Sequence, residues 1–291
     1  MSARNWMTLA ILSILWGGSF VFVELALTGL PVLTIVWARV ALAASLLALW
    51  LMLSRTGFPS RQHWPALAVM GLLNNAVPFT LLVMAQGQIT GGLASILNAT
   101  TPLWTVLVAH LFTSDEKITG TKAMGLTLGF SGVVVIAGGG GPAKLWAIAA
   151  CLGAALSYGL SGVWGRRFKG LGLQPLQVAF GMLASAATLL LPLWVVLERP
   201  WANPMPAPLP LAAVVGLAVL STALAYILYF RLLASAGAVM LSLVTFLIPA
   251  SAVALGALVL AEPILPRQIG GLALILAGLL AMDGRFAKWR G

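Results

Sequence analysis

Apolar residues in this chain neither alternate nor cycle. They come in long runs, broken by short stretches that hold nearly all the charge. An α-helix rises about 1.5 Å per residue, so about 20 apolar residues cross a hydrocarbon core roughly 30 Å thick. The runs predict helices over Trp6–Ala26, Val32–Leu53, Trp64–Ala85, Gly91–Phe112 and Thr121–Gly138. A second set follows over Leu145–Gly165, Pro175–Leu197, Leu209–Leu233, Ala238–Leu260 and Arg267–Asp283. The connections are too short for a separate soluble domain. The expected fold is an all-α integral membrane protein of ten transmembrane helices.

Composition agrees, and charge adds direction. The chain is 61% hydrophobic and 8% charged, whereas a soluble domain carries about 25% charged residues. With ten spans both termini share one side, which carries Arg4, Arg55, Arg61, Lys117, Lys122, Arg166, Arg167, Lys169, Arg231, Arg285, Lys288 and Arg290. The other side carries Lys144, Arg199 and Arg267. This bias places both termini in the cytoplasm, so the net charge of +10 orients the protein and calls for no nucleic acid. The first apolar run lacks a signal-peptide cleavage site and should stay as a helix. The single cysteine, Cys151, sits in an apolar helix as a buried thiol. Trp6, Trp64, Trp146, Trp201 and Trp289 fall near helix ends or in loops, where interfacial anchoring accounts for them.

The chain also repeats itself. Pro102 aligns with Pro249 and Ser95 with Ser242; one residue is then lost, and Glu116 meets Glu262, Gly125 meets Gly271, Gly132 meets Gly278 and Gly138 meets Gly284. The run from Gly138 to Pro142 reads as a linker between two five-helix units, residues 1–141 and 142–291. Five is odd, so the second unit is inverted. Inverted repeats are a recurrent plan of secondary transporters, with the substrate held between the halves near the midplane.

These residues, together with Trp16-Gly-Gly-Ser19 and Arg39 followed by Ala41, resemble the drug/metabolite transporter superfamily in its ten-helix EamA-type branch. The resemblance covers nearly the whole chain. It implies a multi-pass protein of the bacterial inner membrane that exports small metabolites. Similarity to YddG-like exporters implies amino acids, aromatic ones included, and broad specificity. The second half has no arginine to match Arg39.

Polar residues at mid-helix depth select candidate cavity walls. They are Trp16 and Ser19 in the first span, Asn74, Asn75 and Pro78 in the third, and Asn98, Thr101 and Pro102 in the fourth. The second half offers Ser157, Tyr158 and Ser161 in the sixth span, Ser221, Thr222 and Tyr226 in the eighth, and Thr245 and Pro249 in the ninth, while Trp164, elsewhere in the sixth span, can line the path as an apolar wall with one donor. A buried amide must be hydrogen-bonded or wet, and a mid-helix proline frees a carbonyl that needs a partner. The resemblance implies the same six helices. Within the spans, Glu24 and Arg39 carry charge at depths close enough for a structural ion pair near the outer mouth, with capture of a substrate carboxylate by Arg39 as the other reading. Such a pair would make Glu24 a poor proton carrier, which points to export down the metabolite's own gradient. Glycines 125, 129 and 132, and 271 and 278, form small-residue faces for close packing, within a monomer or across a homodimer.

No catalytic set is expected. His63, His110 and one cysteine make neither a metal site nor a nucleophile–base pair, and no cofactor is called for. The partners expected are a small substrate and the bilayer. A multidrug or other metabolite exporter, and a passive channel, are the rivals to amino-acid export.

Overall fold

In a computed structural model the described residues are 2–138, 142–202 and 204–282, all helical or in short turns and connections. Ten helical units follow in order: α1 Ala3–Leu27, α2 Val32–Leu53, α3 Arg61–Gln86, α4 Gly91–Phe112, α5 Gly120–Ala137, α6 Lys144–Gly170, α7 Pro175–Glu198, α8 Pro208–Gly237, α9 Met240–Leu260 and α10 Pro266–Met282. Nine are long and apolar enough to cross a membrane, and α10 is a shorter apolar helix. The expected linker glycines 139–141, Asp283, Gly284 and the basic residues beyond them lie outside the described residues.

Local chemistry starts several helices. Thr90 accepts the Leu93 N–H at the head of α4, and Thr119 accepts that of Lys122 at the head of α5. α2 begins after Pro31, which offers no side-chain cap. Its free N–H groups are met from across the fold by Glu198, at 2.6 Å from Leu33 N and 2.7 Å from Thr34 N.

Packing repeats when the halves are exchanged. α1 lies on α8 and α9 as α6 lies on α3 and α4, and α2 meets α8 as α7 meets α3. α2 and α7, like α5 and α10, meet their own counterparts. The last pair settles the small-residue faces within one chain: a Cβ on Gly132 would stand 2.5 Å from the Gly271 carbonyl, and one on Gly278 2.5 Å from that of Gly125. Leucines and isoleucines fill the interior, among them Leu97, Leu103, Ile136 and Ile275 on one side and Ile35, Leu47, Leu183 and Leu217 on the other. Side chains such as Leu258, 83% exposed, and Val134, 71% exposed, point outward, as lipid-facing residues do.

α3 and α8 depart from regular geometry at matching points. Residues Leu72–Ala76 and Val219–Leu224 form wide π-type turns. The offset that puts Pro249 on Pro102 puts the second turn on the first. Pro78 has no N–H to continue the α3 ladder, and the wide turn before it shifts the register, with Val77 N reaching back to Leu72 O. α8 has Ala225 at the corresponding place and still forms the turn. Proline is therefore not the shared cause; equivalent packing is.

Candidate functional site

The two wide turns carry the most polar part of the interior. Asn74 and Asn75 both donate from Nδ2 to the Tyr226 hydroxyl, at 3.1 and 3.4 Å. Ser161 donates to Asn74 Oδ1 at 2.9 Å, and Ser157 to the Leu73 carbonyl at 2.7 Å. From the opposite turn Thr222 accepts from Arg39 Nε at 3.0 Å. The Arg39 guanidinium lies 3.6 Å over the Phe79 ring, with Tyr158 and Tyr226 close by. Arg39 is 92% buried, and among the described residues no carboxylate pairs with it. Asn75 Oδ1 and Ser221 Oγ, at the same two turns, are buried without a partner. A buried charge without counter-ion and acceptors without donors are costly to leave unmet. They can meet the charged and polar ends of a small dipolar molecule.

Other candidates surround or miss this cluster. Trp16 tilts against Tyr229 at 5.5 Å, and Tyr229 and Phe230 continue an aromatic wall to Tyr226. Ser19 bonds back to the Trp16 carbonyl at 2.6 Å, so its hydroxyl is held by its own helix. Pro78 is buried just after the α3 turn. Asn98 and Thr101 flank an interruption of α4 at residues 99 and 100, where Asn98 Oδ1 is buried and unpartnered while Thr101 donates to the Asn98 carbonyl at 2.7 Å. Thr245 is half-buried on α9. Trp164 stands apart from the cluster at the inner ends of α3 and α6, where its Nε1 donates to the Ala66 carbonyl at 3.1 Å and Arg167 stacks on its ring at 3.0 Å.

The expected Glu24–Arg39 ion pair is not formed. α1 packs chiefly on α8 and α9 and α2 on α7, so the two side chains face different neighbours. Arg39 turns inward to Thr222 and Phe79. Glu24 accepts the Gly91 N–H at the head of α4, beside Glu262. Without that pair, the expected export down the metabolite's own gradient has no structural basis. Sequence reasoning missed Glu262 because it sits in a loop; Ala261, at φ 54°, turns the chain so that the carboxylate folds back against Gly256 and accepts from Gly92 N at 3.1 Å. Its alignment with Glu116 was the one available signal.

Known proteins are similar to this chain, two of them along nearly its whole length. The uncharacterized transporter YvbV of Bacillus subtilis (strain 168) is 27% identical over 286 residues, covering 96% of this chain and 92% of its own. An uncharacterized transporter of Archaeoglobus fulgidus is 23% identical over 279 residues, covering 95% and 97%. The uncharacterized inner membrane transporter YedA of Escherichia coli (strain K12) is 26% identical over 181 residues, 62% of this chain and 56% of its own. One crystal structure shares the fold with a TM-score of 0.67 at 18% identity, covering 97% of this chain and 98% of that one. The model of the EamA-like transporter family matches residues 4–138 and again residues 145–282, and the chain therefore belongs to that family of multi-pass membrane transporters, not to a family of enzymes.

Proposed function

We propose that this protein exports amino acids or closely similar metabolites across the bacterial inner membrane, by alternating access through the cluster between its two halves, divided at residues 141 and 142. The observation that carries the reading is Arg39: a buried guanidinium, braced by Thr222 and Phe79, with no carboxylate of its own among the described residues. A substrate carboxylate supplies that charge, in a charge-assisted bond that the guanidinium fork can make bidentate. Asn75 Oδ1 and Ser221 Oγ are acceptors for an ammonium group, and Trp16, Tyr229 and Phe230 give an apolar wall for a side chain. The sequence resemblance to YddG-like exporters favours the same substrate class, and the name of YedA, an inner membrane transporter, favours the same location. A multidrug pocket for cations would favour an acid where this cluster has an arginine. The deciding experiment is uptake of labelled amino acids into proteoliposomes. Saturable flux that Arg39→Gln strongly weakens supports the reading; equal flux of the matching amines, which lack a carboxylate, removes it.

A further inference from the structure

The two ends of the pathway use the same pair of positions in different chemistry. Gly17 packs on the Ala252 backbone and Gly159 on that of Thr105, one contact between the halves made twice with the halves exchanged: a Cβ would stand 2.8 Å from Ala252 N and 3.0 Å from Thr105 N. The register that puts Gly159 on Gly17 also puts Arg166 on Glu24, and Glu262 is the partner of Glu116 in the repeat. At the inner end Arg166 closes onto the loop between α4 and α5, pairing with Asp115 at 3.1 Å and with Glu116. At the outer end the counterparts are both acids.

Those acids are held firmly against each other. Glu24 accepts from Gly91 N and Glu262 from Gly92 N, so two consecutive amides hold the two carboxyl groups side by side. Glu262 Oε1 is shielded from solvent and receives no donor. Ionised carboxylates only accept and repel each other, so a pair this close is favoured when one of them carries a proton. Glu262 is packed closely against two glycines: a Cβ on Gly92 would stand 3.0 Å from Glu262 Oε2, and one on Gly256 2.8 Å from its carboxyl. A vestibule of about 650 Å³ opens beside Glu24, lined also by Lys144 of α6, Arg267 of α10 and the amides of Gln86 and Gln268. Lys144 and Arg267 are the other charged groups lining this vestibule, and among the described residues neither forms an ion pair with Glu24 or Glu262.

We propose that Glu24 and Glu262 bind one proton between them, and that this proton latches the outer mouth shut by tying α1 and the start of α4 to the loop after α9. The proton comes from the external solution onto one carboxylate, whose O–H then donates to the other. When it leaves, two anions face each other, repel, and release the outer ends of the halves. The inner latch, an ion pair, needs no such proton. External acid therefore favours the closed outer mouth, and external alkali the open one.

The test is a distance measurement on the full chain in lipid. Spin labels replace Gln88 and Ile264, exposed on the two outer loops beside the pair, in a Cys151→Ala background. Between about pH 5 and about pH 8, a range that brackets a carboxyl pair sharing a proton, the longer distance should grow several-fold in population. Glu24→Gln and Glu262→Gln replace the shared proton with an amide donor and should keep the short distance at every pH. Glu24→Arg copies the inner ion pair and should do the same. A wild-type distribution that does not change with pH overturns the proposal, as does a pH response that survives in these variants. A response to added sodium chloride at fixed pH, without a response to pH, also overturns it and assigns the pair to a cation. The inference rests on transport by alternating access. The readout needs no substrate, so it stands or falls apart from the amino-acid assignment.

Discussion

Tyr226 is the hinge of the polar cluster at the scale of single residues. Its hydroxyl takes two amide donors, so Tyr226→Phe leaves both Asn74 and Asn75 with a buried N–H unmet. Each such orphan costs about 1–3 kcal/mol. We expect the variant to unfold at a lower temperature in detergent and to show a raised half-saturation in transport; unchanged values for both would mean that the amides find partners elsewhere. Arg39 offers a sharper separation. A charged hydrogen bond contributes about 1.5–3 kcal/mol, so Arg39→Gln should weaken carboxylate-bearing substrates by roughly 10–100-fold. Amines of the same shape should be affected little. Competition assays in proteoliposomes read the difference.

Helices meet at two kinds of contact, and they predict opposite sensitivities. α5 and α10 approach closely enough that Gly278→Val drives side-chain atoms into the Gly125 carbonyl and the Gly129 backbone, at 2.5 and 2.6 Å from the new Cβ. Overpacking of this kind costs about 1–3 kcal/mol or more. Gly120, at the head of α5, has nothing within 4 Å, and Gly120→Ala should leave the unfolding temperature nearly unchanged. A thermal-unfolding comparison of the two checks the packing directly. α2 depends instead on a distant acid. Glu198→Gln keeps the shape but removes the charge that answers the N-terminal N–H groups of Leu33 and Thr34, while Trp194 still donates to the Thr34 hydroxyl at 2.9 Å.

For the whole molecule the prediction concerns the inner side. Thr113 and its own backbone N–H hold the Asp115 carboxyl below the usual aspartate range, and Arg166 adds to that. A lowered pKa means the contact is present above the ordinary value of about 3.9 and is lost only as pH falls through the lowered one. The inner latch is thus intact across the neutral range, where the proposed outer latch responds. Arg166→Gln removes the inner contact and should shift the protein toward an inward-open form. Single cysteines at inner positions such as Leu171 would then label faster from the inner side, while positions such as Met205 on the outer loop would not change. The same labelling tests the assignment of sides from the charge bias.

Sequence alone determined the helices, because hydrocarbon imposes one rule on every span: enough apolar residues to cross, with all backbone groups bonded within the helix. That rule is local, so the ten runs, the charge bias and the internal repeat could all be read in one dimension. Mid-span polarity likewise marked Asn74, Asn75 and Tyr226, since an amide or hydroxyl at that depth needs a partner wherever the helix lies. Pairing was different. Arg39 and Glu24 are near in depth and on consecutive helices, yet α1 and α2 turn their charges toward different neighbours. Glu116 and Glu262 align in the repeat, yet one meets an arginine and the other an acid. Which charge meets which depends on how helices are rotated about their axes and on a backward turn at Ala261, both set by packing between residues far apart in the chain. Only the tertiary structure could decide that, because a side chain's partner is fixed by the angle at which its helix packs, and that angle is not written in its own segment.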